Sequence, residues 1–430
     1  MPQEFNYWLT TVKMPASAVR ALASSADVAI IGAGFTGLSA ALALAKRGAK
    51  VVVLESEAIG WGASSRNAGM VLTGLKLGVN KLISTYGREL TRRMYAASLE
   101  TIDMVERIVK EENIACDFSR TGHLEVACKP AHFDDYARQA DVIAREFNHQ
   151  LRVVPRDQLR SEIGSDIYYG GMVDEVSAGL HPARYVAGLA AAAVRAGAQI
   201  CERTRLQNIQ REARGGAPGF KLNTSRGAIW ARDVLVGTSG YTGAATPALR
   251  KKIIPIGSFI IATEVLSEAL ARELSPRNRQ IYDSKNYLYY YRLTPDSRML
   301  FGGRAAFFPE TDQTIRKSAE ILRTGMIDVY PQLSNSKVEY VWGGTLDFCF
   351  DIMPHAGQMD GIYFAVGYAG HGVAMATYQG QKMAEWIDKG KTDNPFAEIP
   401  FPGAPLGLYN GKPWFLPFAG AYYKVLDWVS

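Results

Sequence analysis

Three glycines near the N-terminus restrict what this chain can fold into. Gly32, Gly34 and Gly37 lie between an apolar run that predicts a strand over residues 27–31 and a run that predicts a helix over residues 36–47. In such a turn the first glycine permits a tight bend, the second lets the backbone approach a pyrophosphate, and the third lets the helix pack closely on the strand. The segment therefore predicts a dinucleotide-binding βαβ unit, in which the positive helix N-terminus faces the phosphates.

The second strand of this unit supports the prediction. Residues 50–54 are a short valine-rich run, and Glu55 follows them directly. A carboxylate at that strand end accepts hydrogen bonds from ribose hydroxyls and repels a 2′-phosphate, which disfavours NADP. Strand, helix and strand in this order predict an α/β fold with a Rossmann-like parallel sheet. The alternative is a glycine-rich structural turn in some other α/β protein.

Two further segments distinguish FAD from NAD. Residues 59–69 are rich in glycine, alanine and serine, and their one arginine, Arg66, could neutralise phosphate charge. Residues 367–373 place glycines around His371, between a predicted strand (362–366) and a predicted helix (373–388). The helix N-terminus would stabilise negative charge on a reduced flavin ring. The alternatives are a plain surface loop with a solvated arginine and a buried structural histidine.

These segments together resemble the D-amino-acid/glycine/sarcosine oxidase (DAO) superfamily of flavoproteins, and the resemblance covers nearly the whole chain. It rests on the loop GASSRNAG (62–69) and the turn GYAGHG (367–372). Within the superfamily the chain resembles the gamma-glutamylputrescine oxidases. That resemblance rests on Tyr7-Trp8, NYL…YYRLT (286–294), FPG (401–403) and PF…GAYY (417–423).

The resemblance implies an α/β FAD-binding domain that is discontinuous in sequence, with a β-rich (α+β) substrate cap. We expect the FAD domain at residues 26–90, 176–250 and 340–395, the cap at 91–175 and 251–339, and an aromatic C-terminal extension at 396–430. The candidate cofactor-binding residues are Gly32, Ala33, Gly34, Phe35, Thr36, Glu55, Ser56, Gly62, Ala63, Ser64, Ser65, Arg66, Asn67, Ala68, Gly69, Leu206, Gly240, Gly343, Gly344, Gly370, His371, Gly372 and Val373.

Departures from the family pattern bear on the cofactor linkage and the substrate. Monomeric sarcosine oxidases hold flavin on a cysteine just before a T-x-D segment, but residues 339–347 contain none, so we expect noncovalent FAD. Family members bind a small α-carboxylate through cationic side chains. The corresponding positions in this sequence lie near Leu72, Leu346 and Ala374, which are all apolar. An unpaired buried carboxylate there would cost about 3–5 kcal/mol. We therefore expect an amine whose acidic group is distant or absent, such as a gamma-glutamylated diamine or related alkylamine.

The candidate catalytic residues lie in two places. His371 is the first candidate for a polar side chain near the flavin ring. In the strand predicted at 287–292, Tyr287, Tyr289 and Tyr291 share one face that could line an amine pocket. Arg292 or Arg304 could meet a remote carboxylate. The alternative for the tyrosines is an aromatic sheet core.

The predicted activity is FAD-dependent oxidation of an amine C–N bond to an imine, which water converts to an aldehyde. The acceptor is O₂, giving H₂O₂, or another electron acceptor, because the family's oxygen-activating lysine falls near Leu300. One alternative is an oxidase or dehydrogenase of a cyclic or N-methyl amino acid (pipecolate- or sarcosine-like), with Arg292 or Arg304 as a relocated carboxylate clamp. Another is a non-catalytic flavoprotein subunit.

Composition excludes several other classes. The 430 residues include 48 basic and 42 acidic ones, and the net charge of +6 is spread along the chain, without a nucleic-acid signature. Four scattered cysteines suggest reduced thiols, a cytoplasmic location and no metal site. No secretory signal is visible in residues 1–26, and no apolar stretch is long enough to span a bilayer. The aromatic tail (414–428) leaves peripheral membrane contact open.

Overall fold

The computed structural model describes residues 2–15, 21–303, 311–416, 418, 420 and 422. Two eight-stranded sheets and a two-stranded ribbon make up its β structure. In chain order the strands are β1 Ser25–Ile31, β2 Val51–Leu54, β3 Met70–Val71, β4 His123–Val126, β5 Arg152–Pro155, β6 Gly170–Asp174, β7 Ala178–Gly179, β8 Gln199–Cys201, β9 Leu206–Arg211, β10 Phe220–Thr224, β11 Gly227–Val236, β12 Ile254–Thr263, β13 Gln280–Asp283, β14 Tyr289–Leu293, β15 Met299–Gly303, β16 Val338–Phe348, β17 His355–Met359 and β18 Ile362–Val366.

Helices cover faces of both large sheets. In chain order they are α1 Tyr7–Thr10, α2 Phe35–Lys46, α3 Ala63–Arg66, α4 Val79–Tyr86, α5 Arg88–Glu111, α6 Pro130–Phe147, α7 Pro182–Arg195, α8 Pro247–Arg250, α9 Glu268–Leu274, α10 Asp312–Val329 and α11 Gly372–Lys389. None of the helices in the described ranges is long and apolar enough to cross a bilayer.

The first sheet has the order β17-β18-β11-β1-β2-β8, with β10 and β9 extending from β11. Its centre is parallel: in β1, Ile30 is paired with Val53 of β2 on one side and with Leu235 of β11 on the other. Parallel strands covered on both faces are typically apolar throughout, and all four residues of β2 are buried. The Rossmann-like parallel sheet predicted from the glycine turn is present.

β11 is one long strand, although its apolar runs at residues 228–231 and 234–236 are separated by two charged residues. Its first half pairs with β10 and its second half with β1, so hydrogen bonding continues through the polar centre. There Arg232 forms an ion pair with Asp233 at 2.8 Å.

The second sheet has the order β16-β12-β15-β14-β13-β4-β6-β5 and is antiparallel except between β13 and β4. Helix α10 packs on one face, where Leu322 and Met326 are fully buried. β16 pairs with β12 along its length, so the segment starting at residue 340 begins inside this sheet. The expected domain boundaries remain a proposal.

Four helices form the main apolar core over the first sheet. α2 packs between α7 and α11, and α5 packs against α11, although α5 begins near the predicted boundary of the cap. Gly380 of α11 permits the close contact with α2, since a Cβ there would lie 2.4 Å from the carbonyl oxygen of Thr36. This arrangement fixes the N-termini of α2 and α11 at one end of the sheet.

Candidate active site

A cavity of about 550 Å³ lies at the carboxyl ends of the central strands, a volume typical of cofactor sites. We call it the first cavity. Its lining includes the predicted cofactor-binding residues Gly32, Ala33, Gly34, Phe35, Thr36, Glu55, Ser56, Gly62, Ala63, Ser64, Asn67, Leu206, Gly370, Gly372 and Val373. The glycine turn, the small-residue loop and the C-terminal turn are therefore brought together.

The glycine turn has the geometry that its sequence predicts. Gly32 has a φ of +101°, a conformation that side chains rarely adopt. A Cβ on Gly37 would lie 2.0 Å from the carbonyl oxygen of Gly32, so only glycine permits this close packing. A Cβ on Gly34 would lie 2.8 Å from Oγ of Ser64, on the wall of the cavity. The turn thus leaves space where a pyrophosphate would approach the backbone.

Glu55 occupies the position expected for the ribose-binding acid. One carboxylate oxygen accepts a hydrogen bond from the backbone nitrogen of Ala33 at 2.8 Å, and the other accepts from the backbone nitrogen of Glu57 at 2.8 Å. These bonds hold the carboxylate on the cavity wall beside the glycine turn. Glycine turn, acid and volume together fit the adenosine and pyrophosphate portions of FAD.

Arg66 does not face the first cavity. Its Nε donates to the carbonyl oxygen of Trp61 at 2.8 Å, and Nη1 donates to that of Gly343 at 3.0 Å. The guanidinium also stacks over the Trp61 ring. These contacts hold the guanidinium beside Trp61 and Gly343, and the structure gives no support to the hypothesis that Arg66 neutralises a phosphate.

A second, smaller cavity of about 140 Å³ adjoins the first. The two share five lining residues: Ala63, Asn67, Leu346, Gly370 and Val373. The remaining lining residues of the second cavity are Arg66, Ala68, Met70, Leu72, Lys76, Ser258, Tyr282, Leu288, Tyr290, Gly344, Phe348, Ala369 and His371. The predicted cofactor residues Ser65, Gly69, Gly240 and Gly343 line neither cavity.

His371 is the N-cap of α11 and lines the second cavity next to the shared region. Its Nδ1 atom is buried and has no hydrogen-bond partner among the described residues. Burial, together with the nearby Lys76 ammonium, lowers the pKa of His371 to about 3. The imidazole is therefore neutral at physiological pH and can offer either a donor or an acceptor to a bound molecule.

Asp347 fixes the C-terminal glycine turn. Its carboxylate accepts hydrogen bonds from the backbone nitrogens of Gly367 at 2.6 Å and Tyr368 at 3.2 Å. Burial raises the pKa of Asp347, while these bonds oppose the rise. The aspartate lines the first cavity, and the T-x-D segment at 345–347 was the sequence signal that could have identified it. Cys349 lies behind the turn, and no cysteine lines either cavity in the described ranges.

In β14, the face that carries Tyr289 and Tyr291 points away from the second cavity, and the opposite face points towards it. Tyr291 is fully buried, stacks on Phe301 and hydrogen-bonds to Tyr168 at 2.8 Å. Tyr289 packs on the same ring. Helix α10 covers this face, so neither tyrosine lines a cavity, and the aromatic-core alternative describes both. Tyr290, on the other face, lines the second cavity and lies 2.9 Å from Oγ of Ser258.

Arg292 also lies away from both cavities. It is 5% exposed, and Nη1 donates to the carbonyl oxygens of Gly69 and Leu180, both at 3.1 Å. Burial lowers its pKa to about 10. Arg292 thus ties β14 to the end of the small-residue loop and to Leu180, which lies between β7 and α7, and the structure gives the carboxylate-clamp hypothesis no support. Arg304 lies outside the described residues.

Lys76 is another site residue that sequence reasoning missed. It lies in the loop between β3 and α4, half-buried, and lines the second cavity. No motif or periodicity marks this loop. Leu72 and Leu346, near the places where the family resemblance implies cations, line the cavity and are apolar. Leu300 is buried in β15. Within the described ranges, no group of His, Cys, Asp or Glu side chains is arranged to hold a metal.

Comparisons with known proteins agree with this site. Residues 27–386 match the family model described as DAO, FAD dependent oxidoreductase. The chain is 37% identical to the probable oxidoreductase OrdL of Haemophilus influenzae, over 84% of this chain and 83% of that one. It is 32% identical to the gamma-glutamylputrescine oxidoreductase of Escherichia coli, over 93% and 92%.

Solved structures share the fold. Glycine oxidase from Geobacillus kaustophilus superposes with a TM-score of 0.73 at 19% identity, covering 89% of this chain and all of that one. L-proline dehydrogenase from P. horikoshii gives 0.70 at 20% identity, over 87% of this chain and 98% of that one. The family match covers most of the chain, and the described cavities lie within the matched region. The chain therefore belongs to the DAO family of FAD-dependent oxidoreductases.

Proposed function

We propose that this flavoprotein oxidises the C–N bond of an amine that has no carboxylate beside the reacting nitrogen, with FAD bound noncovalently in the first cavity. A gamma-glutamylated diamine or a related alkylamine fits this description, which would place the enzyme in polyamine catabolism. The observation that carries the proposal is the composition of the second cavity where it meets the first. Leu72, Leu346 and Val373 form an apolar wall there, and His371 contributes a neutral polar group.

The apolar wall argues against small α-amino acids. A carboxylate attached to the reacting carbon would be buried beside Leu72 and Leu346, which offer no hydrogen bond. Leaving a buried carboxylate unpaired costs about 3–5 kcal/mol. The same surroundings favour the neutral form of an amine, because burial disfavours an ammonium ion. Loss of hydride from the carbon beside nitrogen requires that neutral form.

FAD supplies the two-electron acceptance that converts the amine to an imine, which water then hydrolyses to an aldehyde and a smaller amine or ammonia. Glu55 and the glycine turn would hold its adenosine and pyrophosphate portions. The apolar wall excludes water from the reacting nitrogen. The Nδ1 atom of His371 is available to orient the substrate amine or the ring.

Two further parts of the proposal follow. The resemblance places the family's oxygen-activating lysine near the buried Leu300, so we expect the acceptor to be O₂ reacting slowly or another electron acceptor. All four cysteines are free, which suits a reducing compartment, and we expect the enzyme to act in the cytoplasm. The Escherichia coli relative named for gamma-glutamylputrescine supports the substrate class at 32% identity.

The test is an anaerobic titration of the yellow protein with a panel of amines while the flavin absorbance is recorded. We expect gamma-glutamylputrescine and other mono-N-acylated diamines, which keep one free amine, to bleach the flavin, and glycine, sarcosine and D-alanine to leave it oxidised. Bleaching by pipecolate or sarcosine alone would replace the proposal with the cyclic or N-methyl amino acid alternative. A yellow protein that no amine reduces would indicate a non-catalytic flavoprotein subunit.

A further inference from the structure

A buried series of polar side chains lies behind one wall of the second cavity and carries an inference that rests on the proposed function and deepens it. The series consists of His123, Ser177, Thr73 and Asp174. We propose that these residues fix the direction of hydrogen bonding at Tyr282, so that the Tyr282 hydroxyl oxygen accepts a hydrogen bond from an N–H of the substrate amine. The site would thereby position amines that carry a nitrogen-bound hydrogen and disfavour tertiary amines.

Asp174, at the end of β6, is the acceptor at which the series ends. Burial alone would raise the pKa of Asp174, but hydrogen bonds from His149 and Thr73, together with the nearby His123, lower it to about 2. The carboxylate is therefore ionised and can only accept hydrogen bonds. Its Oδ2 atom accepts from Nε2 of His149 at 2.8 Å and from the Thr73 hydroxyl at 2.5 Å. The hydroxyl proton of Thr73 is thus committed to Asp174.

Ser177 and His123 continue the series in the same direction. Because the Thr73 proton points to Asp174, the Ser177 hydroxyl donates to Oγ1 of Thr73, at 3.4 Å. Oγ of Ser177 lies 2.8 Å from Nδ1 of His123 and accepts a hydrogen bond from it. The negative charge of Asp174 favours this order, since each N–H or O–H dipole then points towards the carboxylate. Burial lowers the pKa of His123, so its ring is neutral, and a neutral ring with hydrogen on Nδ1 has an acceptor at Nε2.

Tyr282 connects this series to the second cavity. It lies in β13 and lines the cavity, whereas His123 and Glu125 do not. The Tyr282 hydroxyl oxygen lies 3.3 Å from Nε2 of His123 and 3.4 Å from a carboxylate oxygen of Glu125. Burial and the adjacent Glu125 raise the pKa of Tyr282 well above its usual value, so the hydroxyl keeps its proton. That proton is directed behind the wall, and a lone pair of the oxygen is left for a ligand in the cavity.

This oxygen lies near the other polar group that the proposed function uses. His371 lines the same cavity, and His123 is close enough to it to contribute to its lowered pKa. The Tyr282 hydroxyl, which is bonded to His123, and the His371 imidazole are therefore close together. Among the described lining residues of the second cavity none is Asp or Glu, so no carboxylate there competes for the N–H of a substrate.

An acceptor at this place distinguishes amines by their nitrogen-bound hydrogens. A neutral primary or secondary amine can donate one N–H to Tyr282 and still keep its lone pair, which the oxidation of the neighbouring carbon requires. A tertiary amine has no hydrogen to donate, so it would bury the tyrosine oxygen without a partner. The loss of one such hydrogen bond weakens binding about fivefold.

The acceptor can be tested by binding, without any oxidation. N-pentylacetamide and pentyl acetate have the same length and lack an amine, and they differ in an N–H that the ester replaces with oxygen. Calorimetry on the FAD-loaded wild type should show about fivefold tighter binding of the amide. Tyr282→Phe should bind the two ligands equally. Tyr169→Phe, the same change at a tyrosine that is 36% exposed and lines neither cavity, should keep the preference.

The direction of the series has a spectroscopic readout of its own. NMR of nitrogen-labelled histidine side chains should show the wild-type His123 ring with its hydrogen on Nδ1, the signal being assigned with His123→Asn. Thr73→Val removes the acceptor of the Ser177 hydroxyl, whose proton then turns to Nδ1 of His123. The ring hydrogen should therefore move to Nε2 in this variant, and the preference for the amide should weaken, because Nε2 then donates to the tyrosine oxygen.

A wild type that binds the amide no more tightly than the ester would overturn the proposal, and so would a wild-type His123 ring with its hydrogen on Nε2. A preference that survives in Tyr282→Phe would overturn it as well. Neither ligand can be oxidised, so these results hold even if no amine bleaches the flavin, and the two proposals can fail separately. In turnover, the matching result is a kcat/KM for gamma-glutamylputrescine that exceeds that of its N,N-dimethyl derivative about fivefold or more in the wild type but not in Tyr282→Phe.

Discussion

The Oγ atom of Ser64 accepts a hydrogen bond from the backbone nitrogen of Phe35 at 2.9 Å. This bond joins α3, in the small-residue loop, to the first turn of α2, so that two walls of the first cavity are held together. Gly34 lies next to this bond, and because it has no side chain, the Ser64 hydroxyl has room to reach the Phe35 nitrogen. The glycine turn and the small-residue loop therefore act as one structural unit.

Adding a methyl group at the second or the third glycine of the turn should have different effects on FAD affinity and on stability. Gly34→Ala places Cβ against Ser64, whose side chain can rotate, so we expect FAD affinity to fall about tenfold or more with a small change in stability. Gly37→Ala places Cβ against the backbone of Gly32, which cannot yield, so the unfolding free energy should fall by about 1–3 kcal/mol or more.

Flavin fluorescence titration and urea unfolding of the apoprotein would measure these two effects. Gly78→Ala is a matched control, because a Cβ at Gly78 meets nothing within 4 Å and its φ is −61°. If Gly34→Ala bound FAD as tightly as the wild type, the pyrophosphate would have to lie elsewhere.

His371 should influence flavin reduction without giving it a pH dependence. His371→Asn should slow anaerobic reduction by about tenfold to a hundredfold, the loss expected when one well-placed hydrogen bond is removed. The pKa of about 3 means that the imidazole stays neutral from about pH 5 upwards. The inflection of the rate with pH should therefore belong to the substrate amine and persist in the variant. Stopped-flow absorbance across that range measures both quantities, and an inflection that disappears in His371→Asn would show that the histidine titrates.

Arg292 should matter for stability and not for substrate choice. Arg292→Met removes the guanidinium donor from the carbonyl oxygens of Gly69 and Leu180, of which Gly69 still accepts from the backbone nitrogen of Leu180, and we expect about 3 kcal/mol of lost unfolding free energy. The preference between amines with and without a carboxylate should stay as in the wild type. Arg138→Met, which removes an exposed ion pair, should change stability by less than about 0.5 kcal/mol. A selective loss of carboxylate-bearing substrates in Arg292→Met would restore the clamp hypothesis.

His181 should make the fold sensitive to acid. Its Nδ1 accepts the hydrogen bond of the Arg184 backbone nitrogen at the start of α7, which requires a neutral ring. Burial and Arg184 lower the pKa of His181 to about 3, so the unfolded chain binds a proton below about pH 6.5 that the folded chain does not. This contribution to stability is complete above that pH and is lost progressively as the pH falls.

The measurement is urea unfolding of wild type and His181→Asn at about pH 7 and about pH 5, with excess FAD. Asparagine can still cap the helix but does not titrate. Acidification should lower the unfolding free energy of the wild type by about 2 kcal/mol more than that of the variant. Equal losses would mean that the fold accommodates the imidazolium.

Short sequence motifs predicted the part of the fold that surrounds the first cavity. The strand, glycine turn, helix and acid of residues 27–55 are continuous in sequence, and their geometry follows from glycine and carboxylate chemistry that neighbouring residues already specify. The turn at 367–373 was predictable for the same reason.

The second cavity was less predictable, because its residues come from separate segments. Which face of β14 meets the cavity depends on α10, which covers Tyr291 and leaves Tyr290 exposed to the opposite side. The direction of Arg66 depends on a carbonyl oxygen at Gly343, far away in sequence. Lys76 lies in an irregular loop whose path is set by packing rather than by any pattern of its own.

The order of strands in the first sheet has a consequence for biosynthesis. β1 is translated well before β18, yet its neighbour β11 also pairs with β18, which ends at Val366 and leads into the turn of His371. The FAD-binding site therefore remains incomplete in the nascent chain until β18 and the turn of His371 have been translated. A protein truncated before β18 should be colourless, and flavin availability can influence the yield of folded enzyme only after β18 and the turn of His371 have been translated.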